Sequence, residues 1–376
     1  MSADYRVQRL SLPASLEAPG AAAFLEFCGL ADEVQRQIWG HEDRCSPAAY
    51  RLRAWRDSAY ESTAFFYVRD GGRMVGRAWC RVPLQEDLGR AQVRAEVLEG
   101  HTGRGIGRLL LAAAVEEARR RGRTVLDTYT EHPLARPLTL PTLPAAAAAP
   151  DGVVPDAVVP STGTGTVPGG DRSVRFAQAA GFALSQVTRF SELVLDEHEA
   201  SWPALEAAAA DKAGPDYEVL LWECVPPEHR AAMAELFGRM SIDAPQGEDA
   251  YEPERWDADR VAALDRMLFE AGTVPLYAVA RHRGTGELAA YTALWVREGK
   301  EDVGDQDDTL VRLGHRGRSL GMLIKLANLR AYRARFPRAA KVVTFNAAEN
   351  EHMLAINTAL GFRPAGADGE WYRRLA

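Results

Sequence analysis

"GHTGRGIGRLLLAAAVEEARRRG" runs from Gly100 to Gly122. Gly103, Gly105 and Gly107 remove Cβ atoms where a backbone must bend sharply or approach a ligand closely. The helical stretch that follows points its unpaired N–H groups back at the loop, and its dipole favours an anion there. The segment therefore reads either as a phosphate cradle or as a surface turn rich in Gly and Arg, and the pattern alone leaves both open.

A repeat decides the organisation. "VLEGHTGRGIGRLLLAAAVEEARRRG" from Val97 is echoed by "VRLGHRGRSLGMLIKLANLRAYRARF" from Val311. "DYRVQRLSLP" at Asp4 is echoed by "DYEVLLWECVP" at Asp216, and "AAGF" ending at Phe182 by "ALGF" ending at Phe362. The last offset is shorter than the others, so the first copy carries an insert. The segment 132–171, rich in Pro, Ala, Gly and Thr and without a sustained period, predicts a flexible loop there. The expected domains are 1–195 and 216–376, joined by a linker, 196–215, with a short helix ended by Gly214–Pro215. Each copy reads as strand, helix or helix pair, hairpin, strand, Gly-rich loop, helix, strand, helix ending in Gly-Phe, and closing strands. That order implies an α/β fold with a mixed central sheet in each half.

Composition limits the function. The chain has 376 residues, enough for two cores, and a formal charge of −7 that disfavours nucleic acid as a partner. No apolar run reaches the ~20 residues of a membrane span, and the N-terminus lacks a signal-peptide pattern. Four scattered cysteines show no metal-ligand spacing, so no metal is expected and a reduced, cytoplasmic setting is.

These motifs resemble the GNAT superfamily, the acetyl-CoA-dependent N-acetyltransferases, twice over. The tandem arrangement is similar to actinobacterial double-GNAT proteins such as mycothiol synthase. The resemblance implies two domains with splayed strands flanked by helices, acetyl-CoA or coenzyme A as cofactor, and a small-molecule amine as acceptor. It places cofactor contacts at Val97, Leu98, Thr102, Gly103, Arg104, Gly105, Ile106, Gly107 and Arg108 in the first copy. In the second it places them at Leu310, Val311, Arg316, Gly317, Arg318, Ser319, Leu320, Gly321, Asn346 and Asn357. Both copies depart from the family pattern. Thr102 stands where Arg or Gln is usual, and Ser319 replaces a loop glycine, which is tolerable if its φ is negative. Ala177 and Asn357 occupy the position of the family tyrosine, the usual proton donor to the leaving thiolate.

Amide formation needs a neutral amine, a polarised carbonyl and close alignment. In the second copy Asp308, or Asp305, in the acidic run 301–308, is a candidate for attracting and deprotonating an ammonium. Glu349, Asn350 and His352 follow the next strand, at the expected opening between splayed strands. The plain alternatives are a solvated acidic loop, a helix cap at Asn350 and an exposed helical histidine. Tyr129, Glu131 and His132 hold the equivalent place in the first copy, and the acidic stretch 244–260 with Trp256 is a candidate acceptor wall. The expected activity is acyl transfer, with catalysis in the second half. The rival readings are a coenzyme A-binding protein without turnover and an aminoacyl-tRNA-dependent transferase. The acidic charge weighs against the latter.

Overall fold

A computed structural model describes residues 5–134, 156–247 and 251–375. The first half contains β1 (Val7–Leu10), α1 (Ala21–Trp39), α2 (Ala48–Ala54), β2 (Glu61–Asp70), β3 (Arg73–Pro83), β4 (Arg90–Val97), α3 (Ile106–Arg120) and β5 (Val125–Pro133). A short ladder of β6 (Ala157–Val158) and β7 (Val167–Pro168) leads to α4 (Arg172–Ala179) and β8 (Ala183–Val194). The linker holds α5 (Leu195–His198) and α6 (Trp202–Ala213), with Gly214 at the C-cap as the sequence predicts. The second half repeats the order with β9 (Tyr217–Trp222), α7 (Arg230–Asp243), α8 (Ala258–Glu270), β10 (Thr273–His282), β11 (Leu288–Arg297) and β12 (Val303–Val311). It ends with α9 (Leu320–Arg335), β13 (Lys341–Ala347), α10 (Glu351–Leu360) and β14 (Arg363–Arg374).

Local pattern explains most of these elements. In α3, Ile106, Leu110, Leu111, Ala114, Val115 and Ala118 recur at helical spacing and are buried against the sheet. β10 and β11 are buried along nearly their whole length because helices cover both faces, so they read as continuous apolar runs.

The strands do not close two separate sheets. The order is β1-β2-β3-β4-β5-β14-β8-β13-β12-β11-β10-β9, one 12-stranded mixed sheet. β8, the closing strand of the first half, pairs with β13 of the second, from Thr188↔Ala347 to Val194↔Lys341. β14 pairs with β5 of the first half, from Gly366↔Pro133 to Arg374↔Val125. β8 and β14 then pair antiparallel with each other at the centre. The halves thus exchange their last strands, and boundaries drawn along the chain are not boundaries of strand pairing.

The exchange carries core residues with it. Trp371 of β14, 2 % exposed, belongs to the first half's core with Leu184 and Phe182, and its Nε1 donates to Thr130 Oγ1 of β5 at 2.9 Å. Gly366 is required where β14 crosses the end of α1, because a Cβ there would lie 2.7 Å from the Trp39 ring and 2.8 Å from the His132 carbonyl oxygen.

The insert also differs from expectation. His132 and Pro133 complete β5, and Val167 is 1 % exposed in the first half's core. His132 Nδ1 meets Asp171 Oδ2 at 2.7 Å, which ties the two ends of the insert together. These parts of 132–171 are packed; 135–155 lie outside the described residues.

Trp371→Ala should therefore cost about 3–5 kcal/mol, the usual range for a buried aromatic. Hydrogen exchange should show the loss of protection spreading through β2–β5 of the first half. Loss confined to α9, α10 and β13 would mean that β14 stabilises its own half instead.

Candidate active site and cofactor cradles

In each half a parallel strand pair opens into a V. β4 and β5 pair only from Arg90↔Val125 to Gln92↔Asp127, and β12 and β13 only from Val303↔Lys341 to Gln306↔Thr344. Beyond those points the strands diverge, and each leading strand runs through a short 3-10 turn into its loop and helix.

The two loops share one backbone shape. Gly103 and Gly105 have φ of 75° and 82°, and Gly317 and Ser319 have φ of 80° and 55°. Ser319 thus takes the left-handed conformation of the glycine it replaces, so the condition of a negative φ is not met. A Cβ in this region costs roughly 1–2 kcal/mol, so the turn geometry is kept against local preference. A Cβ at Gly105 would meet nothing within 4 Å, so backbone freedom rather than space requires glycine there.

The expected cofactor residues divide by orientation. Leu98, Ile106, Leu310 and Leu320 are buried, so their side chains fix the loop from beneath. A Cβ at Gly107 would lie 3.5 Å from the Phe176 ring and one at Gly321 3.3 Å from Ile356, so both glycines face the following helix closely. The Thr102 hydroxyl donates to the Glu99 carbonyl, and Arg104 pairs with Asp70 at 3.2 Å. Arg316 donates to Asp243 at 2.9 Å and to the Val311 carbonyl at 3.1 Å. Arg318 lies over the Tyr217 ring at 5.8 Å.

An open groove of about 720 Å³ runs between α3 and α4, beginning at Arg108 beside the first cradle. Its floor is apolar, including Leu111 and Phe176, and Arg119, Arg172 and Arg175 line it. Among the described residues none of these arginines, nor Arg108, forms an ion pair. Arg172 and Arg175 escaped sequence reasoning, although their spacing on one face of α4 is a readable signal. Unpaired N–H groups at a helix start, positive-φ turns and free guanidinium groups fit a pyrophosphate-bearing cofactor.

The V of the second half begins beside a bulge. Between β11 and β12 the register moves from Thr292↔Thr309 to Leu294↔Gln306, so one extra residue bulges from β12 at Asp307–Asp308. Such a bulge leaves ladder groups unpaired and re-aims side chains. Tyr291 Oη donates to Asp308 Oδ2 at 3.2 Å, and burial pushes the Asp308 carboxyl up to about 6. Phe237 packs edge-on against Tyr291 and Trp256, and Trp256 Nε1 donates to Glu254. Trp256, from the stretch 244–260, thus packs against Phe237 beside Tyr291.

Among the described residues no hydrogen bond or ion pair links the remaining predicted residues to Asp308. Glu349 accepts from Gln186 Nε2 of β8 at 2.6 Å. Asn350 is the N-cap of α10, its Oδ1 accepting from the Met353 N–H at 3.2 Å, which is the plain cap reading. His352 is exposed in the first turn of α10. Asn357, 2 % exposed, donates to Asn346 Oδ1 at 2.7 Å.

In the first half β4 and β3 pair without a bulge, and an ion pair crosses the V. Arg94 of β4 donates to Glu131 of β5 at 2.5 Å and pairs with Glu96 at 2.9 Å. Arg77 donates to Glu96, and Arg44 from the α1–α2 loop pairs with Glu131 at 2.9 Å. Burial opposes the charge on Glu131, but Arg94, then Arg44, hold its carboxyl below its ordinary value. Arg44 also stacks over Trp39, Phe190 and Phe345, so this network reaches the second half.

Comparison with known proteins places this geometry. Residues 31–138 match the acetyltransferase (GNAT) family model. The chain is similar to a tandem GNAT protein from the clavulanic acid biosynthesis pathway, with 23 % identity over 99 % of this chain and 98 % of that one, at a TM-score of 0.73. It is also similar to a GCN5-related N-acetyltransferase from Sphaerobacter thermophilus, with 14 % identity over 98 % and 95 % of the two chains, at a TM-score of 0.59. No curated protein matches it in sequence. Residues 31–138 thus match a GNAT domain, and the whole chain shares the fold of a tandem GNAT protein.

Glu131→Ala should destabilise the protein by about 3–5 kcal/mol, because it removes the carboxylate shared by buried Arg94 and Arg44 and leaves their charge under-compensated, whereas the double change Arg94→Met/Glu131→Leu should cost clearly less. Denaturant unfolding of both variants checks this. Equal losses in the two would show that packing, rather than charge pairing, joins the strands across the V.

Proposed function

We propose that the protein is an acetyl-CoA-dependent N-acyltransferase, acting on a small-molecule amine in the cytoplasm, with the chemistry in the second half. The observation that carries this reading is the bulged β12 with Asp308 at an unbridged V, set against the unbulged, ion-paired V of the first half. The first half is read as a site that holds the cofactor without passing an acyl group through the sheet. Among the described residues no helix is long and apolar enough to cross a membrane.

When bound, the cofactor supplies an activated thioester. The second cradle, with Arg316 and the amides of Gly317 to Gly321, holds its pyrophosphate. Asp308, ionised near neutral pH, attracts the acceptor ammonium and takes its proton, while Tyr291 orients the carboxylate. Backbone N–H groups freed around the bulge are placed to polarise a carbonyl. Neither half has the family tyrosine. A thiolate leaves without a strong acid, since a free thiol has a pKa of about 8.5.

Asp308→Asn should lower turnover by roughly 10²–10⁴-fold while leaving coenzyme A binding intact. In the wild type the rate should rise as pH passes about 6, because the ionised carboxylate is the active form. Arg316→Ala should raise KM for acetyl-CoA roughly tenfold, the scale of a charge-assisted bond, and Arg104→Ala should leave turnover nearly unchanged. Thiol release with a panel of amines measures all three. If Arg104→Ala abolishes transfer and Arg316→Ala does not, the assignment of halves is reversed.

A further inference from the structure

Thr130 and His132 of β5 lie two residues apart and so share one face of the central sheet. Both are 6 % exposed. A hydrogen-bonded chain runs through them from the last strand of the protein to the start of α4. Trp371 Nε1 of β14 lies 2.9 Å from Thr130 Oγ1, Thr130 Oγ1 lies 2.8 Å from His132 Nε2, and His132 Nδ1 lies 2.7 Å from Asp171 Oδ2.

The chain has one sense. An indole N–H only donates, so Thr130 Oγ1 accepts from Trp371. The Thr130 hydroxyl then donates to His132 Nε2, the unprotonated nitrogen, and Nδ1–H donates to Asp171. Every group is satisfied only while the imidazole is neutral. A second proton on the ring would turn Nε2 into a donor. Among the described residues the Thr130 hydroxyl has no other acceptor, so its hydrogen would be left buried and unpaired, which is costly.

The surroundings also oppose the charge. Burial lowers the pKa of His132, outweighing Asp171 and then Glu131, its neighbour on the opposite face of β5. Arg189 of β8 stands in the same row, because it and His132 both oppose Ala367 of β14. Neither Ala367 and Gly369 of β14, nor Trp39 at the end of α1, nor β7 adds a charge. Asp171 has another role open to it. It occupies the N-cap position of α4 but makes no side-chain cap bond there. Released from His132, its carboxylate is free to cap the helix, the usual part of Asp at that position.

We propose that His132 is an acid-sensitive latch: neutral, it fastens the returning end of the insert and the start of α4 to β5, and protonated, it loosens them. Arg172 and Arg175 follow Asp171 on α4 and line the groove of the first half, so the latch sets how firmly that wall is held. The stabilisation is complete above the ordinary histidine value of about 6.5 and is lost as pH falls below it, because the latched state resists the proton that the open state accepts.

Hydrogen exchange of the full chain at about pH 7.5 and about pH 5.5, one unit either side of an ordinary histidine, tests this after correction for intrinsic exchange. Opening of 157–175 should become roughly tenfold more frequent at the lower pH, the most that one buried neutral histidine gives over that interval. β2–β4 and β10–β11 should keep their protection. In His132→Gln the segment should show no such step. Asp171→Ala uncouples the segment from the ring, so it should loosen 157–175 at both pH values and also remove the step. Asp171→Ala decides the matter if His132→Gln does not fold. Equal protection of the parent segment at both pH values, a step that survives either substitution, or a loss spread evenly over both halves would overturn the proposal.

Discussion

The antiparallel pairing of β8 with β14 is the constraint on which the rest of the structure depends. Each strand ends one copy of the repeat, and each is bonded on its other edge to the opposite copy. Neither half therefore completes its own sheet. Trp371 fills the first half's core from the far end of the chain, and Phe190 joins Val303 and Val343 in the second. The loops on the face of α1 and α7 follow the same logic. Lys341 of β13 pairs with Asp43 of the α1–α2 loop, and Arg260 of α8 pairs with Glu86 between β3 and β4.

This arrangement lets two copies of one plan diverge without coming apart. The first V keeps its cradle glycines and an arginine-lined groove but is bridged by Arg94 and Glu131. The second keeps the loop arginine, tolerates a left-handed serine, and presents a carboxylate beside a bulge. A buried ion pair is a poor source of net stability, yet it is costly to break. In the first half it ties β4 to β5 across the mouth of the V.

Much of the fold was legible because it rests on local signals: the repeat, the Gly-rich turns, the linker helix capped at Gly214. The exchange was not. Which neighbour β8 or β14 pairs with leaves no trace in its own side-chain alternation, because either partner accepts the same register of inward and outward residues. The cradles are legible as loops before helices, but the sequence leaves the φ of Ser319 open, and only the tertiary frame shows it held at 55°. At the site, Asp308 was found through its place at the end of an acidic run, whereas its environment depends on Tyr291 in another strand. Asn350 and His352 follow the motif in spacing but serve as a cap and a surface residue. The Arg94–Glu131 bridge escaped because pairing is a property of space rather than of sequence.

The central claim is that strand exchange makes one cooperative unit of two homologous halves. Differential scanning calorimetry of the intact chain tests it most directly, since a two-state unit has equal calorimetric and van't Hoff enthalpies. The account predicts one transition whose van't Hoff enthalpy matches the total heat absorbed. Two resolvable transitions, each carrying about half of the heat, would show that the halves unfold independently and would contradict it.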